Sequence, residues 1–197
     1  MGQAKKKASQ VATWLETLSP DERKVFAVAR AAYENIVKAQ SATGMCYRTT
    51  FFMTAYLAKE QGLQVEPVVG YVNDGTDDLM ISHAWVEIGG KKTDINLTMT
   101  EHPHAQLTGP LLILDKEFTR GAATYTYHRE RGATAALRVK ELMEDPRARN
   151  FLRHKEAEHT RMTAIAKDLK LIHEYLNAAP DGLGYELLAR MISSAGD

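Results

Sequence analysis

The segment 46–61 constrains the fold of this 197-residue chain more than any other stretch. Drawn as a helix, it carries apolar and aromatic side chains around most of its circumference, and Gly62 follows as a terminating residue. A helix of this kind is buried on nearly all sides, so the rest of the domain has to be built around it. The composition of segment 41–44 breaks the preceding helix, which places Cys46 in the first turn.

Cys46 is the only cysteine of the chain. A single cysteine rules out an internal disulfide and fits a reducing compartment, so we expect a cytoplasmic protein. The free N–H groups at a helix start carry partial positive charge, which stabilises a thiolate and favours its use as a nucleophile. Lone cysteines are more often small core residues, so the helix start by itself leaves catalysis and core packing both open.

Helical signals also precede this helix. Residues 11–18 show a weak helical pattern, and residues 19–22 form a capping box with Pro20 at the first helical position. An apolar stripe with the 3.6-residue period follows the cap and comprises Val25, Ala29, Ala32, Tyr33 and Ile36. Gln40 continues that stripe, so we expect its side chain to point inward. Residues 1–10, which include three lysines, are expected to form a flexible basic tail.

Three strands are predicted after the cysteine-bearing helix. Residues 65–72 are rich in valine, and residues 80–88 alternate with period two after an intervening turn. Gly89 and Gly90 suit a two-residue hairpin turn, because both central positions of such a turn can require positive φ. A third strand therefore begins at Lys91 and runs antiparallel to the second.

The hairpin register predicts which side chains share a face. It pairs Ile88 with Lys91, Glu87 with Lys92, Trp85 with Asp94, and His83 with Asn96. The pair of glutamate and lysine is a favourable cross-strand contact and supports this register. His83, Asp94 and Asn96 then lie on one face, whereas the core face is formed by Ala84, Val86, Ile88, Ile95 and Leu97.

These residues form a set that nucleophilic catalysis can use. A cysteine nucleophile needs a histidine that takes its proton and returns it to the leaving group, and the histidine needs a carboxylate or amide that fixes its orientation. The chain offers Cys46, His83 and either Asp94 or Asn96. We prefer Asp94, because a carboxylate stabilises an imidazolium better than an amide does. A Cys-His-Asn arrangement through Asn96 stays open.

The combination resembles the transglutaminase-like superfamily, relatives of the papain-fold cysteine proteases. The resemblance covers residues 41–99 and rests on Gly44-Met45-Cys46 at a helix start, on His83-Ala84-Trp85-Val86-Glu87, and on an aspartate in the next strand. It implies that Cys46 forms a thioester, that His83 is the general base and acid, and that Asp94 orients it. Many members read Asp-Pro-Thr where this chain reads Asp94-Ile95-Asn96, which keeps the choice between Asp94 and Asn96 open.

Two further site residues are suggested. Gln40 lies six residues before Cys46, the spacing at which papain-like enzymes place the glutamine of the oxyanion hole, and a polar residue that merely ends a helix fits equally well. Trp85 is a candidate for contact with substrate.

The remaining sequence predicts more strands and a helical extension. Residues 111–118 and 124–129 read as two strands, which would bring the antiparallel sheet to about five. Helices are predicted at 134–143, 146–177 and 184–192. A seam with spacings of three and four residues suggests packing on the domain, a homo-oligomer or a partner contact, and it comprises Met162, Ile165, Leu169, Ile172 and Leu176. We therefore expect a tail at 1–10, a catalytic domain at 11–132 and a helical extension at 133–197.

The expected protein is an α+β domain with a papain-like, transglutaminase-like core, acting without cofactor or metal. The favoured activity is hydrolysis of a peptide or isopeptide-like amide in a protein or peptide substrate. Acyl transfer to an amine is the alternative, and a catalytically idle interaction module on the same fold is a third reading. Acidic and basic residues balance at 25 each, which argues against nucleic acid. No apolar run approaches the roughly 20 residues that span a bilayer, so no membrane contact is expected.

Overall fold

The computed structural model of the chain describes residues 2–179 and 182–193. Met1 and residues 194–197, which belong to the predicted tail and extension, lie outside the described residues. The helices within the described part are α1 (Gly2–Glu16), α2 (Pro20–Ala32), α3 (Cys46–Gln61), α4 (Ala133–Leu142), α5 (Pro146–Ile165), α6 (Leu169–Asn177) and α7 (Tyr185–Ser193). The strands are β1 (Glu66–Asn73), β2 (Ile81–Ile88), β3 (Lys91–Thr93), β4 (Leu111–Ile113), β5 (Lys116–Thr119) and β6 (Thr126–His128). The mixture of helices and antiparallel strands confirms the α+β class.

The predictions for the N-terminal segment hold for α2 but not for the start of α1. The capping box at α2 is confirmed: Ser19 Oγ accepts from Glu22 N–H at 3.2 Å, and Glu22 accepts from Ser19 N–H at 2.8 Å. After Ala32 the helix continues as a π-helical turn, Tyr33–Lys38. The predicted apolar stripe of α2 is buried. In contrast, the basic segment expected to be a flexible tail is helical from Gly2 onward and forms the start of α1.

Helix α3 is the centre of the main core, as its composition predicts. It packs against β1 and β2 on one side and against α2, α6 and α7 elsewhere. Its buried side chains are Tyr47, Thr49, Thr50, Phe51, Phe52, Met53, Thr54, Ala55 and Leu57. Gly62 ends the helix with a left-handed conformation at φ 59°, which glycine adopts without a steric penalty.

The main sheet has four antiparallel strands in the order β3-β2-β1-β6. The predicted hairpin register holds at its turn, where Ile88 pairs with Lys91 and Glu87 with Lys92. The strand then stops at Thr93, so the predicted pairs of Trp85 with Asp94 and of His83 with Asn96 are wrong. Asp94 instead forms an antiparallel bridge with Leu112, with N···O distances of 2.8 and 3.0 Å. Pairing with β4 therefore replaces pairing with β2 from Asp94 onward.

The segment predicted as one strand at 111–118 is a hairpin of two strands. Leu114 and Asp115 both have positive φ, 52° and 60°, and they form the turn between β4 and β5. This pair of strands is a separate two-stranded sheet. The expected single sheet of about five strands is thus replaced by sheets of four and two strands.

Both faces of β2 are buried. Ala84 and Val86 belong to the main core on the α3 side, as predicted. On the opposite face, Trp85 is 1% exposed and packs edge-on against Tyr127 of β6, with ring centroids 5.2 Å apart. Gly70 on β1 makes room for this indole, because a Cβ there would lie 2.7 Å from the Trp85 ring. The period-two alternation predicted correctly which side chains of β2 share a face. It did not predict that the face with Trp85 is covered by Tyr127.

The C-terminal helices pack on the domain. The predicted single helix 146–177 is divided into α5 and α6, because Asp168 caps a new helix start by accepting from Lys170 N–H at 2.8 Å. This break splits the predicted seam, and its members Met162, Ile172 and Leu176 are buried in the main core. These three side chains pack within the chain, whereas Leu169 of the seam is exposed. A contact with a second copy or a partner stays a prediction. No helix of the described residues combines the length and apolarity needed to cross a membrane.

Candidate active site

Cys46 is the first residue of α3 and is half-buried with a free thiol. The chain enters the helix through Gly44, whose φ of 65° requires a residue without a Cβ penalty, and through Met45 at the N-cap. Met45 provides no side-chain cap, so the first N–H groups of the helix lack a capping oxygen. The partial positive charge of the helix start thus lies next to the sulfur.

His83 and Asp94 form a buried hydrogen-bonded pair. The His83 Nε2 atom lies 2.7 Å from Asp94 Oδ2, and the two side chains are 5% and 0% exposed. Asp94 Oδ2 also accepts from the Tyr127 hydroxyl at 3.0 Å, and Oδ1 accepts from the Asn96 backbone N–H at 3.0 Å. Three donors therefore satisfy one buried carboxylate and fix its orientation toward the imidazole.

The second partner of His83 is Cys46. Burial alone would lower the pKa of His83, but the negative charges of Asp94 and of a Cys46 thiolate, with a hydrogen bond to each, raise it from 6.5 to about 10. Because Asp94 occupies Nε2, the ring nitrogen available to the sulfur is Nδ1. The structure thus brings Cys46, His83 and Asp94 together, and the surroundings of His83 favour its imidazolium form.

Asp94, and not Asn96, is the group bonded to the histidine. The Asn96 side chain faces α3 instead, where its Oδ1 accepts from the Thr49 hydroxyl at 2.9 Å. Of the two candidates that the sequence left open, Asn96 therefore connects the segment after Asp94 to the cysteine-bearing helix. Thr49 lies three positions after Cys46, and Asn96 lies two positions after Asp94. The contact therefore joins the two segments that carry Cys46 and Asp94.

A second contact joins the neighbours of Cys46 and His83. The Tyr47 hydroxyl lies 2.6 Å from Ser82 Oγ, and Ser82 Oγ lies 2.5 Å from His159 Nδ1 on α5. The His159 ring stacks on Tyr71 of β1 with centroids 4.4 Å apart. We call the contacts Tyr47–Ser82–His159 and Thr49–Asn96 the two clamps. They hold α3 against the segments that carry His83 and Asp94.

The other two predicted site residues differ from expectation in their exposure. Gln40 is exposed in the turn before α3, so the expectation that its side chain points inward is wrong. Trp85 is buried and donates through Nε1 to Glu87 Oε1 at 2.7 Å, which leaves no surface for a substrate. Its role is to fill the second face of the sheet, and the expected substrate contact is corrected accordingly.

Several residues at the site are not visible from sequence spacing. Tyr127 reaches Asp94 only because β6 pairs with β1 far along the chain, and His159 reaches Ser82 because α5 packs on β1. Tyr47 and Ser82 do have a signal, since each is next to a predicted catalytic residue. Among residues 2–179 and 182–193, no group of three or more His, Cys, Asp and Glu side chains is placed to hold a metal ion.

The arrangement has the parts needed for covalent catalysis on a carbonyl carbon. It has a half-buried sulfur as nucleophile, an imidazole for proton transfer and a carboxylate that stabilises the imidazolium. Comparison of the chain with protein-family models, with curated proteins and with solved structures gives no match. The geometry around Cys46 is therefore the basis for assigning a function.

Proposed function

We propose that this protein is a cysteine-dependent hydrolase that cleaves a peptide or isopeptide-like amide through Cys46. The observation that carries the proposal is the buried His83–Asp94 hydrogen bond of 2.7 Å, with Cys46 as the other partner of the same imidazole. A cysteine that only fills space in the core does not require a histidine that is oriented by a buried carboxylate. Nucleophilic catalysis by cysteine requires a carboxylate in contact with an imidazole that is in turn in contact with the thiol.

The first half of the reaction forms a thioester. The Cys46 thiolate attacks the carbonyl carbon, and the carbonyl electron pair moves onto oxygen. As the tetrahedral intermediate collapses, the C–N bond breaks, and the His83 imidazolium gives its proton to the departing amine. Asp94 keeps Nε2 engaged throughout, so the proton leaves from Nδ1.

The second half releases the acyl group. His83, now neutral, takes a proton from water, and the resulting hydroxide equivalent attacks the thioester carbonyl. The C–S bond breaks, the carboxylic acid leaves, and the thiolate and imidazolium are restored. Cys46 N–H at the start of α3 supplies one donor to the oxyanion, and exposed Gln40 is the candidate for a second.

Features of the fold support a papain-like, transglutaminase-like core. A buried cysteine-bearing helix packs against an antiparallel sheet, and the chain order is Cys46, His83, Asp94. The resemblance in sequence points to the same relatives. A free thiol fits a reducing compartment such as the cytoplasm, and a protein or peptide supplies the amide.

Alkylation of Cys46 tests the proposal without knowledge of the substrate. We expect iodoacetamide at pH 7 to label Cys46 of the folded protein faster than that of the urea-unfolded chain, as measured by intact mass. His83→Ala should lower the rate toward that of the unfolded chain, whereas His154→Ala, an exposed histidine on α5, should not. Equal rates for folded and unfolded wild type would favour an idle interaction module.

Incubation with acyl donors distinguishes hydrolysis from transfer. Wild type and Cys46→Ala are incubated with a peptide amide library and a labelled primary amine, and the products are analysed by mass. Free acid that depends on Cys46 supports the hydrolase. Incorporation of the amine that depends on Cys46 would replace this proposal with a transglutaminase-type acyltransferase.

A further inference from the structure

Two arginines lie around one tyrosine beside the candidate active site. Arg48 follows Cys46 by two positions on α3, and Arg161 comes from α5. Their guanidinium carbons lie 6.0 and 5.9 Å from the ring centroid of Tyr175 on α6. Three different helices therefore meet at Tyr175, whose ring has both cations beside it.

Tyr175 connects this pair of cations to the sulfur. Its ring packs edge-on against fully buried Phe51, with centroids 5.4 Å apart, so its position is fixed by the core. Burial raises the pKa of Tyr175, the Arg48 and Arg161 charges and a hydrogen bond from Arg48 lower it, and the Cys46 charge raises it. The phenol is thus within electrostatic reach of both guanidinium groups and of the nucleophile.

Neither arginine has a carboxylate partner in the part of the chain that the structure describes. By contrast, Arg131 is paired in a fork with Glu156, which lies on α5 as Arg161 does. Two guanidinium groups beside one ring, neither with a counter-ion, leave positive charge uncompensated next to Tyr175. A site of this kind is favourable once an external anion joins it, and the planar fork of arginine matches a carboxylate.

We propose that Arg48 and Arg161, positioned by Tyr175, form a subsite for a carboxylate of the substrate, so that the preferred amide lies in an acidic peptide segment. This inference rests on the proposed function, because it places the carboxylate relative to Cys46 as nucleophile. It names the substrate class that the site takes. The subsite binds the anion and takes no part in the bond changes.

Paired alkylating reagents test the subsite and measure its distance from the sulfur. Iodoacetate, N-iodoacetylglycine and N-iodoacetyl-β-alanine carry a carboxylate at increasing distance from the reacting carbon, and each is compared with its neutral amide. The rate ratio of acid to amide at Cys46 is divided by the same ratio for free cysteine, at constant ionic strength. We expect this quotient to reach about tenfold at one length, the effect of one charge-assisted hydrogen bond.

Variants identify the groups responsible. Arg48→Gln and Arg161→Gln should each remove most of the preference, and Arg48→Lys should retain part of it because the charge remains. Arg153→Gln, an exposed arginine on α5, is the matched control and should keep the full preference. Thermal melts establish that each variant is folded.

The outcomes separate the two proposals. Rapid labelling by the neutral amides with a quotient near one at all three lengths, or a preference unchanged in the Arg48→Gln Arg161→Gln double variant, would overturn the subsite and leave the hydrolase intact. Slow labelling by every reagent, equal to the unfolded chain, would reject the proposed function itself. Protection of Cys46 by inorganic phosphate but not by glutarate would also overturn the carboxylate assignment.

Discussion

Replacement of Asp94 by asparagine changes the proposed triad with little change of shape. The carboxylate accepts from His83 Nε2, from the Tyr127 hydroxyl and from the Asn96 backbone N–H. An asparagine amide has one oxygen and one NH2 group, whereas the carboxylate accepts on both oxygens. The NH2 group must therefore face a group that donates in the wild type. If the NH2 group faces His83, it can bond the ring only where Nε2 becomes an acceptor, which moves the ring proton to Nδ1 and removes the proton acceptor beside the sulfur. If the NH2 group faces the Asn96 backbone N–H, that buried hydrogen bond is lost. Both orientations remove the negative charge that faces the imidazolium.

The size of the effect follows from the lost interaction. A hydrogen bond to a charged group contributes about 1.5 to 3 kcal/mol, and tenfold corresponds to about 1.4 kcal/mol. We therefore expect the population of the thiolate–imidazolium pair, and with it the alkylation rate of Cys46 at pH 7, to fall about 10- to 100-fold. The loss of an acceptor for a buried donor also lowers the free energy of unfolding by about 1 to 3 kcal/mol.

The assay is the rate of iodoacetamide labelling between pH 5 and 9. The proposed thiolate–imidazolium pair predicts a wild-type rate that changes little with pH, because the pKa of His83 is raised to about 10 and the imidazolium persists across this range. In Asp94→Asn the charge that supports the imidazolium is missing, and the rate should increase with pH as it does for an ordinary thiol. Near-UV circular dichroism checks that the variant is folded.

Tyr127→Phe is the control for packing around the same oxygen. It removes one donor to Asp94 Oδ2 but leaves the carboxylate and its bond to His83, so we expect less than a tenfold change in rate. The reasoning is refuted if folded Asp94→Asn labels within twofold of wild type and keeps a flat profile. It is refuted equally if Tyr127→Phe has the larger effect.

Three further changes probe the same geometry. Tyr47→Phe removes the 2.6 Å contact with Ser82 and should slow Cys46 labelling about threefold to tenfold with a shift of the melting temperature of only a few degrees, as measured by labelling and thermal melts. The protonated His83 ring stabilises the fold fully below pH 6.5, and this contribution is lost as pH rises to about 10, so urea titrations should show a larger loss of stability over this window for wild type than for His83→Gln. Gly70→Ala would place a Cβ 2.4 Å from the His128 carbonyl and should lower the free energy of unfolding by about 1 to 3 kcal/mol, whereas Gly132→Ala, whose nearest contact is 3.3 Å, should change it much less in the same titration.

Local chemistry explains why the start of α2 and the bounds of α3 could be predicted. The capping box at Ser19, the glycine at position 62 and the apolar surface of α3 are all signals within a few residues. Such signals act before tertiary contacts form, so the helix bounds follow from the sequence. The break before α6 had a signal of the same kind, since Asp168 is an N-cap residue, but the regular apolar spacing across it favours one continuous helix.

Long-range pairing explains what the sequence could not show. The register at Gly89 and Gly90 predicts a hairpin that continues to Asn96, and Leu112 ends it by pairing with Asp94 instead. No local pattern reports that competition, because β4 lies far along the chain. Trp85 is a similar case: its alternation predicts a face away from the core, and only the pairing of β6 with β1 shows that Tyr127 covers it.

One of the two clamps includes a residue of the C-terminal extension, His159 on α5. The Thr49–Asn96 clamp is built from residues before position 133 alone, whereas the Tyr47–Ser82–His159 clamp needs α5. Burial lowers the pKa of His159, so its Nδ1 is available to accept from Ser82 near neutral pH. Because Tyr47 and Ser82 are the immediate neighbours of Cys46 and His83, displacement of α5 would loosen the spacing between these two residues. The proposed triad therefore depends on the helices after residue 132, which also cover the core.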